Sequence, residues 1–446
     1  MVNNLEKIWN GGAARSSEED LSDIMTSEDI QKDELILYYE LISLLSYHVQ
    51  IYKASLIERH DSIAIIGSLI ELLEKKQPID PQFEDVHSYV EYAVGQIAGK
   101  AYENLRIFLS RNEQIHTDIR LFQIDHLLKI SKLLNEGARR ACDKGSASSG
   151  VIPGYTHYRQ AMPVATGTYY DYISGTMVDL SSDAINLASS LIERSPLGYG
   201  SGLGSLSPVD FQKVGEPVGF KGSFENPLFG SSRRGMDDLE VNFFIEKSMV
   251  SLSRIAQDMI IYSADKHGFI TLPDAFTTGS SLMANKRNPD FLEMMQGYAS
   301  ISISNHVMAA AMLENKSSGY HREFQISKDK TMDFILLFEK LMKHFNSFLS
   351  NVNIKGAQDE NYMENSIYAT GETLRLFKSG KSWKESYRAA GDKVNKGEKL
   401  HEYLPEPYKS VSEEIIIKQL SKINEIEAQI NAKRQHLFEE ANSLVQ

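Results

Sequence analysis

The sequence predicts an all-α protein. Three observations carry that expectation. Long stretches space their apolar residues three and four positions apart, the stripe of an amphipathic helix. Alternating apolar and polar runs, the mark of half-buried strands, are scarce. Glycine, serine and proline gather in a few segments that separate the helical runs.

Taken in chain order, stretches 29–59, 83–143 and 166–194 carry the helical spacing. From Met249 the stripe is Met249, Leu252, Ile255, Ala256, Met259 and Ile260. Gly268 is placed to close this helix, because glycine adopts a left-handed C-terminal conformation at little cost. Further runs cover 289–314 and 329–352. The last helix opens with Ser410 and Glu413, the spacing of a capping box. It continues with Ile416, Leu420, Ile423, Ile426 and Ile430 on one face. Irregular segments at 144–167, 195–235 and 268–288 lie between these runs. Long polar loops inside a helical protein are usually functional. The chain divides into an N-terminal helical domain (1–103), a central long-helix bundle that carries the loops (104–353) and a small helical C-terminal domain (354–446).

Composition narrows the function. The 446 residues carry 47 Lys+Arg against 60 Asp+Glu, a net charge of −13. So acidic a chain is not built for nucleic acid, which needs clustered cations. An anionic small molecule would need a local cationic pocket. The single cysteine, Cys142, excludes an intramolecular disulfide and a zinc–thiolate cluster, and suits the reducing cytoplasm. The longest apolar run, Ile63 to Leu73, contains Gly67 and Glu71 and is well short of the roughly 20 residues a membrane span requires. The opening MVNNLEKIWN lacks the basic start and apolar core of a signal peptide.

The densest chemistry lies between Thr277 and Gly297. Gly279-Ser280-Ser281 is a flexible element with two hydroxyls, and Lys286, Arg287 and Asn288 follow with cations and an amide. Pro289 suits the first turn of a helix, with Asn288 near the cap. The helix dipole would reinforce an anion site there. No metal-ligand cluster stands out, and the glycines at 198, 200, 202 and 204 do not form a dinucleotide cradle.

Gly279-Ser280-Ser281-x-Met283-x-x-Lys286-x-Asn288-Pro289 resembles the GSSxMPxKxNP signature of the fumarase/aspartase superfamily, with Ala284 in place of the usual proline. Pro153-Gly154-Tyr155-Thr156-His157 resembles the PGYTH segment of the argininosuccinate lyases within it. Ser110-Arg111-Asn112-Glu113-Gln114 with Thr117-Asp118-Ile119-Arg120-Leu121, Glu84-Asp85-Val86-His87, and Tyr320, Arg322, Gln325 and Lys328 are similar to further segments of that family, in the same order. Departures fall at Arg159, Gln160 and Met162, and over 226–234, where only Asn226 and Arg234 align.

The resemblance implies a fumarase/aspartase-type fold whose long helices form a tetramer core, and a β-elimination that releases fumarate. It implies Ser280 as the catalytic base on a closing loop. Lys286 and Asn288 would stabilise the doubly charged intermediate, and His157, paired with Glu293, would serve the leaving nitrogen. It implies Asp85, His87, Ser110, Arg111, Asn112, Thr156, Tyr320, Gln325 and Lys328 as substrate-binding residues. No metal or organic cofactor is expected. The implied partners are argininosuccinate, arginine and fumarate, in a homotetramer with shared active sites. Two alternatives stay open: a sister lyase acting on another N-substituted aspartate such as adenylosuccinate, and a structural member of the kind that serves as lens crystallin.

Overall fold

The computed structural model describes residues 32–75, 78–79, 83–264, 268–356 and 363–446. The opening segment read above for targeting lies outside them. Among the described residues the protein is all-α, with three short antiparallel ribbons as its only sheets. No helix among these residues is long and apolar enough to cross a membrane.

Three helices begin the described chain: α1 (Leu37–Lys53), α2 (Arg59–Lys75) and α3 (Val86–Ala98). The expected helical stretch 83–143 is interrupted between Gly99 and Ser110, where a 3-10 turn precedes α4 (Arg111–Ser146). After α4 comes a hairpin of β1 (Val151–Thr156) and β2 (Arg159–Ala165), then α5 (Thr166–Ile192). The segment expected to be irregular at 144–167 therefore contains a paired ribbon. The stretch 195–235 is mostly irregular and holds two short helices, α6 (Phe211–Gly215) and α7 (Pro227–Ser232).

α8 (Met236–Ser263) follows, with Met249, Leu252, Ile255, Ala256 and Met259 all buried, as the stripe requires. It stops before Gly268, because the backbone at Ala264 turns extended. β3 (Ile270–Thr271), β4 (Thr278–Gly279) and β5 (Arg287–Asn288) lead to α9 (Asp290–Leu313) and α10 (Phe324–Asn351). β6 (Asn353–Ile354) returns to pair with β3. α11 (Ala369–Lys378) and α12 (Trp383–Asn395) follow. They stand over a small separate core of Ile367, Tyr368 and Leu400.

The closing helix, α13 (Glu413–Val445), starts two residues later than the Ser410 cap predicts. Ser412 caps it by accepting from the Ile415 N–H at 3.4 Å. Ser410 instead donates to Asp171 on α5 at 2.5 Å and so ties the incoming strap down. Ile416, Ile423, Ile430 and Leu437 of α13 are buried in the main core.

The core is the seam between α4, α5, α8 and α10, with α1, α2 and α13 closing its flank. The helices approach closely. A Cβ on Gly137 of α4 would lie 2.5 Å from Asn346 Oδ1 and 2.6 Å from Met177 Sδ, so any larger residue there would have to displace both side chains. Two polar pairs lie inside the seam: the Ser131 and Ser181 hydroxyls meet at 2.8 Å, and Asn242 donates to Thr331 at 2.9 Å.

Candidate active site

The start of α4 builds one wall of a cavity. Ser110 caps the helix by accepting from the Asn112 N–H at 3.3 Å, and Glu113 reaches back to the Ser110 N–H at 2.9 Å. The same Glu113 carboxylate accepts from the N–H groups of Gly198 at 2.6 Å and Gly200 at 2.9 Å. A helix cap and a glycine-rich loop are thus fixed by one side chain. Arg111 and Asn112, the first two residues of the helix, project from this anchored tip.

α3 builds the facing wall. Asp85 caps it, accepting from the Ser88 N–H at 2.7 Å, and Arg111 Nη1 donates to Asp85 Oδ2 at 2.9 Å. Burial alone would raise the Asp85 pKa, but the neighbouring His87 and Arg111 and the Ser88 N–H hold it down to about 2. The entry to α10 supplies the third wall with Tyr320, Arg322 and Gln325. Arg234, buried, stacks on the Tyr320 ring at 4.5 Å and donates to Gln325 at 3.5 Å.

The cavity so enclosed measures about 210 Å³ and is lined by Asp33, Glu84, Asp85, His87, Arg111, Asn112, Ile115, Tyr320, Arg322 and Gln325. Six residues singled out from the sequence therefore share it: Asp85, His87, Arg111, Asn112, Tyr320 and Gln325. Ser110 shapes the helix start beside it. Lys328 lies beneath, fully buried, with Nζ 2.6 Å from Asp33 Oδ1, and Asp33 Oδ2 accepts from the Val86 N–H at the tip of α3.

The other singled-out residues occupy two separate places. Thr156 and His157 are exposed at the β1–β2 turn. His157 and Tyr158 both take positive φ, at 50° and 58°, as a tight two-residue hairpin turn demands. Ser280 begins the loop closed by the β4–β5 ribbon, where Thr278 pairs with Asn288 and Gly279 with Arg287. The Ser280 hydroxyl accepts from the N–H groups of Leu282 at 3.3 Å and Met283 at 3.0 Å, and Lys286 is exposed.

The helix beside this loop starts one residue later than the sequence suggests. Pro289 is the cap of α9 and Asn288 belongs to β5. Asp290 and Glu293 occupy the first turn, and Asp290 accepts from the Thr278 hydroxyl. The anion-attracting tip of α9 thus already holds a carboxylate of its own.

Sequence reasoning gave no role to Asp33, Glu40 or Asp118. Glu40, His87 and Asp118 present ligand-type atoms within 4.8 Å of one another, all buried. This is a cluster the sequence did not reveal and, among the described residues, the one grouping with the donor set to hold a metal ion. The available signal was a lone acid, Glu40, inside the otherwise uncharged run from Ile36 to Val49.

Comparison with known proteins places the chain. The Lyase family model matches residues 19–301. A curated argininosuccinate lyase of Thermotoga neapolitana is 28% identical over 400 residues, covering 88% of this chain and 99% of that one. The argininosuccinate lyase of Sorangium cellulosum is 28% identical over 403 residues, covering 87% and 90%. Among solved structures, an EDDS lyase variant with bound fumarate matches at a TM-score of 0.76 with 18% identity, covering 92% of each chain. A Brucella melitensis fumarate lyase:delta crystallin bound to cobalt matches at 0.72 with 13% identity, covering 92% and 93%. These structural matches establish the shared fold.

Proposed function

The chain belongs to the Lyase family, and from that premise we infer that it is a carbon–nitrogen lyase that reversibly splits argininosuccinate into L-arginine and fumarate. The observation that carries this is the end-to-end match to curated argininosuccinate lyases, 99% of one of them at 28% identity. The cavity supports it. Its lining pairs guanidinium groups suited to carboxylates, Arg111 and Arg322, with carboxylates suited to a cationic amino-acid part, Glu84 and the Arg111-bound Asp85.

In this reading Ser280 takes the proton from the carbon beside a succinyl carboxylate. The electron pair moves onto that carboxylate, and Lys286 and Asn288 hold the doubly charged species. The C–N bond then breaks, its electrons go to the nitrogen, and His157, oriented by Glu293, returns a proton to the leaving guanidino group. A serine hydroxyl is a weak base in water. Closure of the 280–286 loop must therefore strip solvent from it and surround it with positive charge. Asp85, His87, Ser110, Arg111, Asn112, Thr156, Tyr320 and Gln325 form the binding shell, with Lys328 acting through Asp33.

The His157 turn, the Ser280 loop and the cavity occupy separate parts of one chain. We therefore propose that several subunits of a homotetramer complete each site. Exposed apolar residues on α8 and α9, Phe243 at 54%, Ile301 at 50% and Val307 at 61%, support such an association. A cytoplasmic enzyme without metal or organic cofactor fits the same reading, as does the three-part division of the chain at about residues 103 and 353.

The test is fumarate release by the purified protein from argininosuccinate and from adenylosuccinate. Turnover of argininosuccinate with at least about a hundredfold higher kcat/KM is expected, since a site built for one polar group strongly rejects analogues lacking it. Equal or reversed preference would replace the substrate assignment.

A further inference from the structure

Beneath the cavity lies a polar cluster that the chemistry above does not use. Glu40 of α1 is completely buried. Its carboxylate accepts from His87 Nδ1 at 2.9 Å and from Gln114 Nε2 at 3.2 and 3.5 Å, and Arg106 stands 3.6 Å away. The Gln114 amide is oriented for this, because its oxygen takes Arg106 Nη1 at 2.5 Å. Arg106 also donates to the His87 carbonyl at 2.7 Å. Every partner of Glu40 is a donor, so Glu40 is the ionised member.

Asp118 of α4 is the opposite case. It too is completely buried, yet neither of its carboxylate oxygens receives a hydrogen bond. An ionised carboxylate in that setting would pay a large desolvation cost with nothing to offset it. A proton on Asp118, donated to the adjacent Glu40, removes the problem. Burial first, then the Glu40 and Asp33 charges, push the Asp118 pKa well up, while Arg106 opposes them.

We propose that Asp118 is a neutral carboxylic acid that donates to Glu40, and that this pair positions the His87 imidazole at the cavity wall. With Nδ1 engaged by Glu40, the remaining ring nitrogen, Nε2, has no protein partner and is the atom left for the substrate. Glu40 and Asp118 are thus positioning residues that act through His87. The same three groups could instead bind a divalent cation, but the Arg106 guanidinium and the Gln114 amide already occupy the Glu40 oxygens. The link to substrate rests on reading the cavity as the substrate pocket, whereas the proton on Asp118 does not.

The experiment therefore has two arms. Infrared difference spectra of the full-length protein without substrate, wild type minus Asp118→Asn, should show a carboxylic-acid carbonyl band in the wild type at pH 8 that the variant lacks. Absence of that band, or one equivalent of a tightly bound divalent metal on elemental analysis, overturns the proposal. The second arm is kinetic. Asn keeps an N–H donor to Glu40, so Asp118→Asn should stay within about threefold of wild-type kcat/KM. Asp118→Ala and Glu40→Gln should raise KM about tenfold or more with a smaller change in kcat. If Asp118→Ala does not fold, Asp118→Asn still decides. A loss in Asp118→Asn as deep as tenfold, or an unchanged KM in Glu40→Gln, contradicts the positioning role. Failure of the kinetic arm with the carbonyl band present overturns the positioning through His87 and leaves the proton on Asp118 standing.

Discussion

Lys328 is a cation with no exposed surface, and its ammonium pairs with Asp33 at 2.6 Å and with Asp329 at 3.2 Å. Removing one partner of a buried pair leaves an uncompensated charge, which costs about 3–5 kcal/mol. Lys328→Met should therefore lower stability in urea unfolding by that amount, and adding Asp33→Asn should recover part of it, Asp329 being left without its cation. A loss confined to substrate affinity would instead make Lys328 a direct ligand. At this scale the sequence was informative where residue types are rare and spacing is fixed. Arg111-Asn112, Asp85, His87, Tyr320 and Gln325 stood out and lie together on the cavity wall. Asp33 and Glu40 did not, and Asp118 stood out only as part of a segment without a role, because a buried acid is defined by neighbours from distant helices. Whether Lys328 faces substrate or Asp33 was equally hidden, since both readings use the same residue.

At the scale of elements, α1 is fastened to the segment before α4 by His48, whose Nε2 meets the Leu105 carbonyl at 2.8 Å. Burial lowers the His48 pKa to about 4, against the weaker opposing pull of that carbonyl. The folded state then holds this ring neutral, while the unfolded chain protonates it below about 6.5. The unfolded state binds the extra proton between pH 6.5 and 4, so this contribution to stability is intact above 6.5 and lost as pH falls to 4. The wild-type-minus-His48→Gln stability difference should fall across that window by on the order of 3 kcal/mol, and stay flat above pH 7. A flat difference throughout would mean that His48 takes up its proton at the same pH in the folded and unfolded chain. Helix existence was legible from periodicity, and the buried stripe of α8 is the plain case. Boundaries were not. Ser410 and Ser412 are both capable caps, and only the Asp171 carboxylate on α5 decides which one is taken. The β1–β2 hairpin was masked by glycine and proline in a segment that reads as loop.

For the whole molecule, the all-α class followed from pattern alone, because helical stripes do not depend on which helix they meet. The proposed assembly does depend on partners, and the exposed apolar residues of α8 and α9 support it. Ile301→Asp with Val307→Asp should yield a folded but dissociated and inactive protein by sedimentation and circular dichroism. An active monomer would show that each chain holds a complete site. The proposed sharing of sites makes two inactive variants complementary: mixing Arg111→Ala with Ser280→Ala subunits should restore part of the activity that each lacks.

The central claim is the elimination itself, and product analysis tests it most directly. Wild-type protein given argininosuccinate should form arginine and fumarate in equal amounts. Ser280→Ala, whose hydroxyl makes only local turn contacts, should stay folded and lose at least about a hundredfold in kcat. Absence of both products from the wild type, or undiminished turnover in Ser280→Ala, would contradict the account.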